Sequence, residues 1–323
     1  MRRGFVVVLT LAAMAAAACS GTGSVVDAGS ASSTTSTTAA LGSGGALGAE
    51  LGKLQPEATG AFVGEAAQRT LGVQTGSFYV SMTIGEGGPE ELVFLQVEGT
   101  YDHDRGVTRT VLDISGMVGR APEALSTDPD EQAAMRLVFR EPLEIVEDED
   151  TTYLKAERLT ALLQSQTEWV SMPIEGDATF GSIAAAFEVD DLAALLAELE
   201  STGAVTDLGN EELDGAEVWH YAVELGDEGA AGGGLFGAIA GDAEERGTVE
   251  VWVDERGVIH KITAVGSKAA VLPVLGADFG GADLASLDLG PGDISVVIEL
   301  YGLGEPTDID VPGTGDATPL DEL

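Results

Sequence analysis

One thiol and three imidazoles have the widest chemical reach in this chain, and their placement limits what they can do. Cys19 is the only cysteine, so no disulfide can form within the chain and its thiol is free for other chemistry. His103, His220 and His260 are far apart in the sequence. None has a partner at the spacing of a helix-borne metal site, so hydrogen-bonded or surface histidines are the simpler reading. A nucleophile elbow G-x-S-x-G is absent, and Gly52-Lys53 is followed by Leu54 rather than Ser or Thr, so neither a hydrolase nor a phosphate loop is signalled. Asp102, Asp104 and Gly106 imitate the opening of a calcium loop, but the glycine falls one place early and the twelfth position is Asp113 instead of Glu. A hairpin turn explains them with fewer assumptions. The acidic corner Glu147 to Asp150 reads as solvated. Trp169, Trp219 and Trp252 could stack a sugar headgroup, but in a chain this poor in aromatics they read first as core. The expectation is a protein that is not an enzyme, with no metal and no cofactor.

The surroundings of Cys19 give its thiol a use. Arg2 and Arg3 precede an apolar run from Phe5 to Ala18, and the small residues Ala16, Ala17 and Ala18 stand just before the cysteine. That is the layout of a secretory signal, with residues 1–18 as the leader. The run is short of the roughly 20 residues that a membrane-spanning helix needs. LAAMAAAACS resembles a bacterial lipobox, with Ala16 where Leu is commonest. That resemblance implies a diacylglyceryl group on Cys19 and cleavage before it, which would fix an exported protein to the outer face of the cytoplasmic membrane. Each buried methylene adds about 0.8 kcal/mol, so two long acyl chains hold almost permanently.

Residues 19–55 follow as a flexible tether rich in Ser, Thr and Gly, including SSTTSTTAA. Thirty such residues reach roughly 30 Å. The chain of 323 residues carries 15 Lys and Arg against 55 Asp and Glu, a net charge of −40. Nucleic acid is therefore excluded as a partner, because its binding rests on basic side chains that neutralise phosphates. A basic patch for anionic lipid heads is missing too, leaving acyl chains and apolar surface as the means of meeting a membrane.

From Pro56 to Leu71, Phe62, Ala66, Ala67 and Leu71 recur at helical spacing. Strands follow. Phe78, Val80, Met82 and Ile84 alternate with polar residues, and Leu92 to Tyr101, containing Val97, makes the partner strand. Tyr101 to Gly106 turns into a strand from Val107 to Ser115. Residues 120–135 read as irregular with a helical turn at Glu131 to Met135, Arg136 to Val146 and Thr151 to Lys155 as strands, and Glu157 to Leu163 as a short helix. Asp190 can cap a long helix carrying Leu192, Leu195, Leu196 and Leu199, ended by Gly203. Strands then return: Trp219, Tyr221, Val223 and Leu225 share one face; Val249, Val251 and Val253 another; Asp254 to Gly257 turns into Val258 to Ala264; and Ile294, Val296, Ile298 and Leu300 close the series. This order is α+β, with helices on one side of an antiparallel sheet.

The hairpin VEVWVDERGVIHKI at 249–262, the strand LDGAEVWHYAVEL at 213–225 and the terminal VVIELYGLGEPTDIDVP at 296–312 resemble the actinobacterial LppX/LprG-type lipoproteins of the LolA-like group. The resemblance spans 56–312 as one lipid-binding domain, with 313–323 left as a disordered acidic tail. It implies a curved antiparallel half-barrel with helices in its concave side, and an apolar interior for acyl chains of a lipid or glycolipid. Ligand-facing positions would then be Phe78, Val80, Met82, Ile84 and Val97, with Trp219, Tyr221, Val223, Val251, Val253, Ile298 and Leu300. The Gly-rich insert at 226–247 carries an apolar tip, Leu235, Phe236 and Ile239, read either as a plain hairpin loop or as a lid. A membrane transporter is a further partner this reading leaves room for. Two rival functions stay open: an envelope sensor or scaffold recognising a partner protein, and a solute receptor, against which the strand-rich order argues.

Overall fold

The computed structural model of the protein describes residues 58–85, 91–120, 129–148, 150–173, 199, 202–213, 215–225, 248–272, 292–313 and 315–323. Helix α1, Gly60–Leu71, starts where the Thr59 hydroxyl accepts a hydrogen bond from the Phe62 N–H at 3.2 Å, satisfying one of the donors that a helix leaves free at its first turn. Phe62, Val63, Ala66, Ala67 and Thr70 lie buried on its sheet-facing side. Strands β1 (Thr75–Gly85), β2 (Leu92–Asp102) and β3 (Val107–Asp113) form a meander.

Beyond β3 the order differs from the sequence expectation in identifiable ways. The strand stops at Asp113, whose carboxylate accepts from the Ser115 N–H at 2.9 Å and starts a short helix α2, Ser115–Arg120. Helix α3 then runs Pro129–Val138, and β4 occupies only Leu143–Asp148. The stretch 136–138, expected as strand, is therefore helical: Met135, Val138 and Phe139 are buried at a spacing of three and four residues, which is a helical stripe. Next come β5 (Thr151–Lys155) and α4 (Glu157–Leu163), as expected, and β6 (Trp169–Pro173). Strand β7, Thr202–Leu213, was not legible as a strand. Among the described residues it is an edge paired only with β8 (Ala216–Leu225), it is largely exposed, and two irregularities in register interrupt its pattern. Strands β9 (Thr248–Asp254), β10 (Ile259–Gly266) and β11 (Asp293–Tyr301) complete a second meander.

The segment expected as a disordered tail instead contributes β12, Ala317–Pro319, which pairs in parallel with β6, followed by a 3-10 turn over Leu320–Glu322. Ala317 is buried in a small cluster, Leu320 and Leu323 pack on the main core, and the hydroxyls of Thr167 and Thr318 meet at 2.7 Å. These few apolar contacts were masked in the sequence by acidic neighbours.

Among the described residues twelve strands join in the order β12-β6-β5-β4-β3-β2-β1-β11-β10-β9-β8-β7. The sheet is open and mostly antiparallel, with two meanders joined where β1 pairs with β11. It is of α+β class, and an open sheet of this kind fits a curved half-barrel. Helix α1 packs against β7 and β10, and α2 against β2. The Thr70 hydroxyl accepts from the Ile259 N–H at 2.9 Å and donates to the Ala66 carbonyl at 2.8 Å, pinning α1 to the start of β10.

Candidate functional site

Strand register decides which side chains share the inner face. One row crosses eight strands as Tyr221, Val251, Ile262, Ile298, Val80, Val97, Leu112 and Leu143, each opposite the next. A second row beside it runs Val223, Val249, Ala264, Val296, Met82 and Leu95. All fourteen are at most 7% exposed and belong to one hydrophobic cluster. A third row brings Leu300, Phe78 and Gly99 together. A Cβ built on Gly99 would stand 2.1 Å from the Phe78 ring, so the glycine exists to let that ring lie across the sheet.

The positions expected to face a ligand therefore come together. Phe78, Val80, Met82, Ile84, Val97, Tyr221, Val223, Val251, Val253, Ile298 and Leu300 all lie buried in this cluster, and Trp219 is partly buried against it. Leu95, Ile262, Ala264 and Val296 share the surface and follow from the same alternation. Phe62 of α1 meets Tyr221 with ring centroids 5.4 Å apart. Cys19, Leu235, Phe236 and Ile239 lie outside the described residues, as does the expected helix from Asp190 apart from Leu199, which is fully buried, and Gly203, which stands in strand β7 instead of ending a helix.

The opposite face is polar and heavily cross-linked. Trp252 is buried there rather than in the apolar core: its ring stacks on His220 at 4.1 Å, and its N–H donates to Glu211 at 3.1 Å. The two nitrogens of His220 meet Glu211 at 2.7 Å and Glu250 at 3.1 Å. Hydrogen bonds from Trp252 and then His220 hold the Glu211 carboxyl below its ordinary range. Lys261 pairs with Glu299 at 2.9 Å. Trp169 packs on a small outer cluster with Val107, Val146, Tyr153, Ile309 and Ala317. His260 meets Asp254 at 3.0 Å, and Asp254 also accepts from the N–H groups of Arg256 and Val258. At the β2–β3 turn the Asp102 carboxylate accepts from the Arg105 N–H at 3.1 Å, and Gly106 takes a φ of 63°. Asp102 thus folds the turn itself. Among the described residues no group of three or more His, Cys, Asp or Glu is arranged to hold a metal, and no helix is long and apolar enough to cross a membrane.

No family profile matches the chain, and no curated protein sequence matches it. Solved structures do. The lipoprotein LppX of Mycobacterium tuberculosis is 11% identical over 78% of this chain and 97% of its own, with a TM-score of 0.40. LprF of Mycobacterium bovis is 12% identical over 81% of this chain and 100% of its own, with a TM-score of 0.42. A LolA superfamily protein of Nitrosomonas europaea is 9% identical over 77% of this chain and 96% of its own, with a TM-score of 0.19.

Proposed function

We propose that this chain is an exported lipoprotein, anchored through Cys19 to the outer face of the cytoplasmic membrane, whose half-barrel carries acyl chains of a lipid or glycolipid. The observation that carries this reading is the inner face itself: rows of Val, Ile, Leu and Met cross the sheet with no charged side chain among them. Apolar surface withdrawn from water contributes about 25 cal/mol per Å², so such a face favours hydrocarbon over any polar solute. The protein's role is binding and transfer, not catalysis. Phe78, Val80 and Met82 from one meander and Val251, Ile298 and Leu300 from the other are the positions assigned to the ligand, with Trp219 at the margin.

Two measurements test the proposal. Native mass spectrometry of the full chain extracted from membranes should find lipid co-purifying with the protein; a chain recovered empty from several hosts would favour a sensor or scaffold instead. Cys19→Ala should give a folded domain that leaves the membrane fraction. Its retention in the pellet would mean a different attachment.

A further inference from the structure

A polar atom on the inner face has nothing to bond to among the described residues. Tyr221 is 1% exposed, its ring packs on Phe62, and its hydroxyl has no hydrogen-bond partner among the described residues. Phenols on the other face are served differently: Gln96 donates to the Tyr79 oxygen at 2.8 Å, and the Tyr301 hydroxyl donates to Glu98 at 3.4 Å. A buried donor without an acceptor is costly and calls for an explanation. Tyr101 is also buried and has no hydrogen-bond partner among the described residues, but its oxygen is walled in by Gly76, on which a Cβ would stand 2.8 Å away, and by neighbouring Leu303. Tyr221 differs. It ends the central apolar row, next to the edge strand β7, where the rigid sheet gives out.

The charge beside it restricts the acceptor. Asp207 on β7 is the cross-strand partner of Tyr221. Burial first, and the Asp207 carboxylate second, push the phenol up to about 12, so it stays a donor at any physiological pH. The same carboxylate repels an anion placed against the phenol.

We infer that the Tyr221 hydroxyl donates a hydrogen bond to an uncharged carbonyl oxygen of the bound lipid, so that the site selects neutral acyl esters over fatty-acid anions. This rests on the acyl-chain reading above and adds where the ligand's first polar group sits: at the β7–β8 margin, with its hydrocarbon laid along the rows toward β1.

The test uses the full chain in an ester-free detergent with three probes: dioleoylglycerol, its di-ether counterpart, and oleate. The parent should hold the diester roughly five- to tenfold more tightly than the di-ether, the worth of one neutral hydrogen bond. Tyr221→Phe should bring the diester down to the di-ether level, leave di-ether binding unchanged, and melt at or above the parent temperature, because the hydroxyl has no partner to lose among the described residues. Asp207→Asn should raise oleate binding and leave the diester alone. Equal diester affinity in Tyr221→Phe and parent overturns the inference, as does a Tyr221→Phe protein that melts well below the parent with no ligand present. A parent that takes up none of the three probes refutes the acyl-chain reading itself, an outcome readily told apart from the others.

Discussion

Asp254 illustrates how much a single side chain can be made to do at the turn between β9 and β10. Burial raises the pKa of its carboxyl, but the hydrogen bonds from His260, the Val258 N–H and Arg256 outweigh it and bring the group from 3.8 to about 2. A carboxyl depressed in the folded state contributes stability above its unfolded pKa and loses it as pH falls through the folded one. The contribution, on the order of 2 kcal/mol, should therefore be complete above about pH 4 and gone below about pH 2. Asp254→Asn should flatten the fall of melting temperature across that window in a pH series of thermal melts. Neighbours on β9 make a sharper contrast. Val251 is fully buried on the inner face, while Glu250 points outward to His220. Val251→Asp buries a lone carboxylate and should cost roughly 3 kcal/mol or more, and it should abolish lipid uptake. Glu250→Gln keeps an oxygen for His220 and should change stability by less than about 1 kcal/mol. Chemical denaturation of both variants checks the pair, and equal losses would mean that the strand faces the other way.

Elements explain how an open sheet of this width protects its edges. Strand β7 is guarded by its own irregularities, with bulge-like shifts near residues 202–205 and 207–209 and acidic side chains along it. Both are devices that discourage pairing with a foreign strand. The other margin is handled by covering it: β12 pairs with β6 through three residues, and hydroxyls of Ser165, Thr167 and Thr318 tie the two together at 2.7 to 3.1 Å. Removing residues 315–323 should expose the edge of β6 together with apolar side chains beneath Leu320 and Leu323. The expected result is faster amide exchange in β5 and β6, unchanged protection in β8 to β11, and a melting temperature lower by several degrees. Uniform protection in the shortened chain would show that β12 merely rests on the sheet.

For the molecule as a whole the dominant long-range term is charge. A net −40 repels itself in the compact state and opposes folding, while keeping copies apart in solution. Pairs such as Arg109 with Glu144 or Lys155 with Glu168 lie at the surface, where each is worth at most about 1 kcal/mol. Stability must come from the apolar interior and the hydrogen-bonded sheet. Raising ionic strength from about 0.01 M to about 0.15 M shortens the screening length from roughly 30 Å to roughly 8 Å. The melting temperature should rise over that interval in calorimetry, and then change little. A fall would mean that local ion pairs outweigh the global repulsion.

The alternation of Phe78, Val80, Met82 and Ile84, and of Val249, Val251 and Val253, settled strand identity and inward face without any tertiary information, because a period of two can bury only one side of a sheet. The helix carrying Phe62, Ala66 and Ala67 and the turn at Asp102 were readable for the same reason: the residues that define them lie within a few positions of one another. What sequence alone could not supply was anything set by distant partners. Alternation leaves strand order open, so the pairing of β1 with β11, which joins the meanders and aligns Val80 with Ile298, came from packing. The edges β7 and β12 escaped notice because an edge strand buries too little to need a clean apolar period. Trp252 was assigned to the apolar core because its type says buried, whereas its face was decided by His220 and Glu211 on neighbouring strands. Tyr221 was recognisable as an inward residue, but that its hydroxyl stands without a partner among the described residues, opposite Asp207, depends on the elements packed around it and could only be found in the folded chain.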